Sequence, residues 1–183
     1  VKKEDYVLVN LYGPNRDEPD FYRQLHKTLS DLGNQNIILA GDWNMVLDPL
    51  KDYQNYKHIN NPKSREVVDD IINRLDLNDI YRELNPECRR FTWRRSNPFQ
   101  QSRLDFFLIS DPVLSYVENA DIECGYRTDH SIITLTLKVG QPSKRSNFWK
   151  FNASLLKDKK YLDEVNAEID NLVAEYAATP YNR

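Results

Sequence analysis

The sequence contains few cysteines and shows no metal-binding spacing among them. Its two cysteines, Cys88 and Cys124, are far apart and do not form a paired Cys-x-x-Cys motif. The three histidines, His26, His58 and His130, are also scattered. We therefore interpret the cysteines as reduced thiols of an intracellular protein and do not expect a zinc site.

Long apolar runs are missing as well. No stretch approaches the roughly 18 consecutive apolar residues of a membrane-spanning helix, so we expect a soluble protein with no membrane partner. The first residues do not have the pattern of a signal peptide. Hydrophobic residues make up 40% of the 183 residues and charged residues 29%. This balance predicts one folded domain, or a large fragment of one, and argues against disorder.

The chain also lacks excess positive charge. Its formal net charge is −3, which is not the overall basic character of many nucleic-acid-binding proteins. One segment is nevertheless rich in arginine, and its members are Arg89, Arg90, Arg94, Arg95 and Arg103. Any contact with nucleic acid is therefore expected to be local to this segment.

The apolar pattern predicts strands interleaved with helices. Strand-forming runs occupy residues 6–12, 36–40, 91–93, 104–109 and 132–139. Helical spacing of apolar residues covers 19–32 and 62–75. Residues 45–61 are polar and irregular, so we expect a surface loop there. Because some strands follow one another directly, we predict an α/β fold with a mixed sheet.

The pattern changes after residue 140. Residues 141–147 have the composition of a polar linker. Residues 154–176 carry the spacing of an amphipathic helix that needs a partner surface. We therefore predict two parts, a folded unit over 1–140 and a linker with a helix over 141–183.

Polar side chains recur where the predicted strands begin or end. They are Tyr12 and Asn15 after the first strand, Asp42 and Asn44 after the second, Asp105 at the start of the strand at 104–109, and Asp129 with His130 before the last. Strand ends at one edge of a sheet are where α/β folds gather catalytic groups.

These residue types suit the hydrolysis of a phosphodiester. The reaction needs an activated water, a charge clamp on the phosphate and help for the leaving oxygen. A histidine held by a carboxylate can activate water or bind phosphate, and other carboxylates can bind Mg²⁺. Taken singly, Gly41–Asn44 could be an Asx turn and Arg103–Asp105 a surface ion pair. The order and spacing of the motifs together favour a catalytic role more strongly than any one motif does.

Four motifs carry a resemblance to a known superfamily. They are Asn10–Asn15 (NLYGPN), Gly41–Asn44 (GDWN), Ser102–Ser110 (SRLDFFLIS) and Thr128–Ser131 (TDHS), with Phe91–Trp93 between the second and third. In this order they resemble the later motifs of the endonuclease/exonuclease/phosphatase superfamily. The resemblance covers about residues 5–139.

The resemblance implies a catalytic role for five residues. Tyr12 would contact the scissile phosphate, and Asn44 would help to hold it. Asp42 would act as the proton shuttle. Asp105 would orient His130, which would bind the phosphate or activate water.

The resemblance also implies a metal site and a DNA surface. Asp129 would lie near a Mg²⁺ or Mn²⁺ ion. A hairpin with its tip near residues 96–101 would reach the DNA minor groove, where arginine reads groove shape. A solvated charged edge that discourages strand aggregation is the alternative. The predicted DNA contacts are Asn15, Thr92, Arg94, Arg95 and Thr128, the last of which stands where many members have serine.

The segment at 147–158 indicates which subfamily of the superfamily the chain resembles. It resembles the segment that follows the endonuclease in LINE-type (non-LTR) retrotransposon polyproteins, ahead of the reverse transcriptase. An ordinary terminal helix is the alternative. The implied function is a DNA-nicking endonuclease module for target-primed reverse transcription, fused to a reverse transcriptase domain and acting in the nucleus.

The implied fold is part of a four-layer α/β sandwich with mixed β-sheets, the DNase I-like fold. In this superfamily, an Asn and a metal-binding Glu precede the motif that contains Tyr12. We therefore expect the N-terminal portion to be absent from this chain and the chain alone to be inactive or nearly so. Two alternatives remain, an inactive truncated remnant and a phosphatase acting on lipid or inositol phosphates.

Overall fold

A computed structural model describes residues 5–33, 35–56, 60–125, 127–138 and 153–178. The chain divides into two compact units, Val1–Phe148 and Trp149–Arg183. The predicted linker at 141–147 lies outside the described residues, and the boundary expected at residue 140 stays a prediction. Within the described part of the chain, no helix has both the length and the hydrophobicity that crossing a membrane requires.

The described residues form strands and helices in alternation. The strands are β1 (Val7–Tyr12), β2 (Ile37–Asp42), β3 (Tyr53–Gln54), β4 (Leu77–Asp79), β5 (Trp93–Ser96), β6 (Phe99–Ser102), β7 (Asp105–Ser110), β8 (Val117–Glu123) and β9 (Ile132–Leu137). The α-helices are α1 (Pro19–Leu32), α2 (Pro62–Arg74), α3 (Ile80–Leu84), α4 (Asp111–Leu114) and α5 (Lys159–Ala178). A 3₁₀ helix spans Ala153–Lys157, so the helix predicted over 154–176 is confirmed with a later start.

Helix α1 begins and ends where the sequence predicts. Proline has no backbone N–H to lose at the first helical position, and Pro19 occupies that turn. Gly33 ends the helix in the left-handed region, with φ of 60°. The predicted bounds of α2 are confirmed to within one residue.

The central sheet is mixed, as predicted. Its strand order is β1-β2-β7-β4. Strands β1 and β2 are parallel, and β7 runs antiparallel to both β2 and β4. In this register Tyr12 is opposite Asp42, and Asp42 is opposite Asp105. Three of the predicted site residues therefore lie side by side at one edge of the sheet.

Each face of the central sheet is covered by apolar side chains. On one face, Leu39, Phe106 and Leu108 pack against residues of α1 and α2. On the other, Ile38 and Ile109 pack with α3, α4 and β8. This division follows from the alternation of side chains along a strand. Because both faces of the sheet are packed, the strands are held in place, and the positions of Tyr12, Asp42 and Asp105 at their ends are defined.

Two sequence predictions fail in short segments. The expected surface loop at 45–61 contains strand β3, and its residues Met45 and Val46 are fully buried. Strand β8 was not predicted from the sequence. A register irregularity between Val117 and Asn119 interrupts its pairing with β9, and such a bulge breaks the period of two that reveals a strand.

A buried ion network joins three segments beside the sheet. The Arg103 side chain is only 1% exposed. It donates to both carboxylate oxygens of Asp52, at 2.9 and 2.8 Å, and also pairs with Asp79. The Asp52 carboxylate also accepts from Arg82. The expectation of a surface ion pair at Arg103–Asp105 is therefore wrong, because the partners of Arg103 come from distant segments that bury it.

A distant carboxylate caps helix α2. Asp17 accepts hydrogen bonds from the backbone amides of Ser64 and Lys63, at 2.8 and 3.2 Å. Burial acts to raise the pKa of the Asp17 carboxyl, but these hydrogen bonds and the charge of Lys63 lower it. The loop that follows β1 is thereby attached to the start of α2.

We predict that Asp52→Asn lowers the free energy of unfolding by about 3–5 kcal/mol, because it leaves buried arginine charge without its partner. Urea denaturation measures the difference. Asp70→Asn is the matched control, since Asp70 forms an exposed pair with Arg74 and its loss should cost less than about 0.5 kcal/mol. Equal effects of the two substitutions would contradict a structural role for the buried network.

We predict a pH-dependent effect of Asp17→Ala. A carboxyl whose pKa is lowered on folding contributes stability above its unfolded pKa, and that contribution is lost as pH falls through the folded pKa. The stability difference between wild type and variant should thus be largest near neutral pH and shrink below about pH 4. Denaturation curves between pH 7 and pH 3 measure it, and parallel pH profiles would refute the cap.

Candidate functional site

The candidate site lies at the sheet edge where β1 and β2 end and β7 begins. Tyr12, Asp42 and Asp105 are contributed by these three strands in a row. Close approach of β1 and β2 requires glycine at position 41, where φ is 138° and a Cβ atom would collide with the Leu11 carbonyl oxygen. The glycine of the Gly41–Asn44 motif therefore allows the row to form.

His130 is brought to this row from another layer. It pairs with Trp93 in an isolated antiparallel bridge. On either side of His130, the Ser131 amide donates to the Thr92 carbonyl at 2.6 Å, and the Arg94 amide donates to the Asp129 carbonyl at 3.0 Å. The loop that carries His130 is thus attached to Thr92 and the first residues of β5.

His130 and Asp105 form a hydrogen-bonded pair. Their Nδ1 and Oδ2 atoms are 2.9 Å apart. Because a carboxylate only accepts, Nδ1 carries the proton in this pair, and in the neutral form of the imidazole Nε2 has the lone pair. Nε2 lies 4.0 Å from Oδ2 of Asp42. The imidazole therefore presents a basic nitrogen to the space beside Asp42.

The Asp42 carboxyl is electrostatically perturbed. Burial raises its pKa and the charges of Asp105 and Asp129 raise it further, while a hydrogen bond from the Asn44 amide and the charge of His130 lower it. The amide hydrogen bond measures 2.8 Å. A carboxyl with a raised pKa holds a proton more readily, which suits a group that both accepts and returns one.

Asn44 turns back toward the end of β1. Its backbone is left-handed, with φ of 50°, and its side-chain amide donates to the Gly13 carbonyl at 2.6 Å. The preceding residue, Trp43, is buried and stacks on Phe106 with ring centroids 5.0 Å apart. This core anchor fixes the Asp42–Asn44 turn.

Tyr12 is the exposed member of the row. It is 67% exposed, and its hydroxyl oxygen accepts a hydrogen bond from the Asn15 side chain at 3.3 Å. The hydroxyl proton therefore remains available to a phosphate oxygen. Asn15 orients Tyr12, and its predicted contact with DNA stays a prediction.

Thr128 and Asp129 directly precede His130 in the chain, and both are exposed. The indole N–H of Trp93 donates to Oδ2 of Asp129 at 3.0 Å, a partnership that the sequence does not reveal. The Thr128 hydroxyl accepts from the His130 amide at 3.2 Å and so shapes the turn. The metal role of Asp129 and the DNA contact of Thr128 stay predictions.

Thr92 is not available for DNA contact. It is 0% exposed. Its hydroxyl oxygen accepts hydrogen bonds from the amides of Leu104 and Asp105, both at 2.9 Å. The prediction that Thr92 binds DNA is wrong, because the hydroxyl is used inside the protein. Thr92 instead fixes the start of β7 and with it the Asp105 backbone.

The arginine-rich segment does not form one basic patch. Arg103 is buried, Arg90 pairs with Asp121, and Arg89 donates to backbone carbonyls. The cluster expected from the sequence therefore reduces to Arg94 and Arg95. Both belong to β5 in the predicted hairpin with β6, which the structure confirms.

Arg94 and Arg95 differ in their exposure. Arg94 is half-buried and donates to the Ser131 hydroxyl at 2.8 Å. Arg95 is exposed, and its Nε donates to the Asn97 carbonyl at 2.9 Å near the hairpin tip. Arg95 is therefore the better placed of the two for contact with a bound molecule.

The chemistry of the donor set fits a divalent cation. Asp42, Asp105 and His130 each offer one ligand atom, and these atoms lie within 4.8 Å of one another. The carboxylates of Asp105 and Asp129 both raise the pKa of Asp42, so negative charge is concentrated around this group. Such a concentration of negative charge favours a hard cation with oxygen ligands.

Solved structures with a similar fold are nucleases and a phosphatase. The AP endonuclease from Archaeoglobus fulgidus is 18% identical, with a TM-score of 0.63, over 72% of this chain and 62% of that chain. The APE2 catalytic domain from Xenopus laevis is 19% identical, with a TM-score of 0.60, over 76% and 52%. The 3′ phosphatase NExo from Neisseria, bound to a product DNA hairpin, is 18% identical, with a TM-score of 0.60, over 70% and 60%.

One curated protein has a similar sequence. The Transposon TX1 uncharacterized 149 kDa protein of Xenopus laevis is 28% identical over 169 residues. The match covers 87% of this chain but 12% of that protein. No protein-family model matches the chain.

The solved structures confirm the fold predicted from the motifs. The chain has the mixed α/β, DNase I-like fold of exonuclease and AP endonuclease structures, and its sequence is similar to that of a transposon protein.

Proposed function

We propose that this chain is a DNA-nicking endonuclease module of a non-LTR retrotransposon, which hydrolyses a phosphodiester with a divalent metal ion. The cluster of Asp42, Asp105 and His130 at the edge of a DNase I-like sheet is the observation that carries the proposal. It unites a histidine base, its orienting carboxylate and a second, perturbed carboxylate in one place.

Proton transfer is assigned to His130 and Asp42. Asp105 holds the Nδ1 proton of His130, so that Nε2 faces the space beside Asp42. One of these two groups takes a proton from the attacking water, and the other delivers a proton to the leaving oxygen. The leaving oxygen becomes a 3′-hydroxyl, which can prime reverse transcription.

Phosphate binding is assigned to Tyr12 and Asn44. The Tyr12 hydroxyl is exposed and oriented by Asn15, and it can donate to a phosphate oxygen. The Asn44 side-chain amide uses one proton on the Gly13 carbonyl and has a second to offer. Donors fixed in this way stabilise developing charge without reorganisation.

The metal ion is proposed to be Mg²⁺ or Mn²⁺. Asp129 would hold it, with the neighbouring carboxylates as further oxygen donors. The ion would supply positive charge to the phosphate and the leaving oxygen. Trp93 fixes one carboxylate oxygen of Asp129 through its indole N–H, so the chain itself orients this ligand.

The proposed partners are DNA and a fused reverse transcriptase domain. Similarity to a transposon protein and a fold shared with a phosphatase bound to a DNA hairpin support DNA as the substrate. A fused reverse transcriptase domain and a nuclear site of action are proposed from the resemblance of the segment at 147–158 to retrotransposon polyproteins. The chain spans 12% of that relative, so the activity is tested both in this chain and in a longer polypeptide that carries it.

We predict that nicking of supercoiled plasmid by the longer polypeptide requires Mg²⁺ or Mn²⁺ and stops with EDTA. His130→Ala and Asp105→Asn should each lower the rate by about a hundredfold to ten-thousandfold, because the base or its orientation is lost. His26→Gln, a histidine change on α1, should leave the rate unchanged. A longer polypeptide that never nicks DNA, or a fully active His130→Ala variant, refutes the proposal.

We predict that Arg95→Gln weakens DNA binding in a salt-dependent manner. An exposed arginine that neutralises one phosphate contributes about one unit to the slope of log K against log salt concentration. Fluorescence anisotropy with a DNA duplex, from 50 to about 200 mM salt, measures this slope. Arg23→Gln, the same charge change on the exposed face of α1, should leave it unaltered. Equal slopes for all three proteins would exclude the hairpin from the DNA surface.

A further inference from the structure

We propose that Asn61, at the start of helix α2, is a positioning residue for the candidate site. Its side chain fixes the two loops that follow β1 and β2, directly after Tyr12 and Asp42. The catalytic part of this inference rests on the proposed function, whereas its structural part can be measured without activity.

The Asn61 side chain is directed to both loops. Its Nδ2 donates to the Asn44 carbonyl at 2.9 Å and to the Pro14 carbonyl at 3.3 Å. The residue is 8% exposed, so the two hydrogen bonds are formed largely away from water. Loss of a donor there leaves carbonyl oxygens unsatisfied, which is costly in a partly buried site.

Asn61 occupies the N-cap position of helix α2, but its side chain does not cap the helix. An asparagine before a helix normally accepts hydrogen bonds from that helix's own first amides, but Asn61 makes no side-chain capping bond to α2. Asp17 accepts from those amides instead. The backbone of Asn61 is left-handed, with φ and ψ both 52°, and this conformation turns its amide toward the loops.

The contacts of Asn61 connect with those of the site residues. Asn44 receives the Asn61 bond at its carbonyl, donates its backbone amide to Asp42 and donates its side-chain amide to Gly13. Gly13 in turn donates its backbone amide to the Asp42 carbonyl at 2.7 Å. Asn61 therefore braces the turn that sets the direction of the Asp42 carboxyl and the Asn44 amide.

A positioning role predicts a specific kinetic effect. Displacement of catalytic groups by about 1 Å can lower a rate roughly a hundredfold. The DNA-contacting hairpin is formed by β5 and β6, and Asn61 has no hydrogen bond to it among the described residues. The expected loss is therefore mainly in kcat, with a smaller change in KM for DNA, because Tyr12 and Asn44 are also assigned to phosphate binding.

The test uses two substitutions that separate the amide from the backbone. Asn61→Gly keeps the left-handed conformation but removes the side chain. Asn61→Asp keeps the shape but replaces the donor with an acceptor. Both should lower kcat for plasmid nicking by about ten- to a hundredfold, in the longer polypeptide. Asn73→Ala, which removes an exposed amide from the same helix, is the control and should leave kcat unchanged.

A second measurement does not depend on activity. Amide hydrogen exchange by NMR on this chain should be faster at the backbone N–H of Asn44 in both Asn61 variants, while amides of α1 keep wild-type rates. If the wild-type polypeptide never nicks DNA, the proposed function fails and the exchange data alone decide the structural part. Unchanged exchange at Asn44, wild-type kcat in both variants, or loss of kcat only where the variants unfold would each overturn the inference.

Discussion

The pairing register between β2 and β7 is the constraint on which the site depends. It places Asp42 beside Asp105, and the parallel pairing of β1 places Tyr12 in the same row. A slip of one residue would turn each side chain of β7 to the opposite face of the sheet. His130 would then lose its carboxylate partner, although every strand could still be present.

Several interactions outside the sheet stabilise this register. The Thr92 hydroxyl accepts from the first amides of β7, and just before that strand Arg103 is held among Asp52 and Asp79 in the interior. The planar guanidinium of a buried arginine can bind both oxygens of one carboxylate, and this paired contact restricts the orientation of the side chain. The start of β7 is thus fixed by polar contacts, whereas its remaining length is fixed by apolar packing.

Local signals explain which features the sequence predicts. Pro19 and Gly33 mark the ends of α1 through their own backbone properties, and strand-end polar motifs locate Asp42, Asp105 and His130 because motif order is visible along the chain. The roles of Thr92, Arg103 and Asn61 depend on partners that are remote in sequence. Thr92 and Arg103 were therefore interpreted as surface residues, and nothing local to Asn61 identifies the carbonyls that it binds.

The backbone around His130 is attached to Thr92 and the start of β5, so the site is divided between two supports. Asp42 and Asp105 belong to paired strands, but the histidine loop is held by backbone hydrogen bonds at Thr92 and Arg94. Sequence change in the histidine loop can therefore alter the angle of the imidazole while the carboxylate row stays intact. The orientation of the imidazole and the pairing of the sheet therefore depend on different sets of contacts.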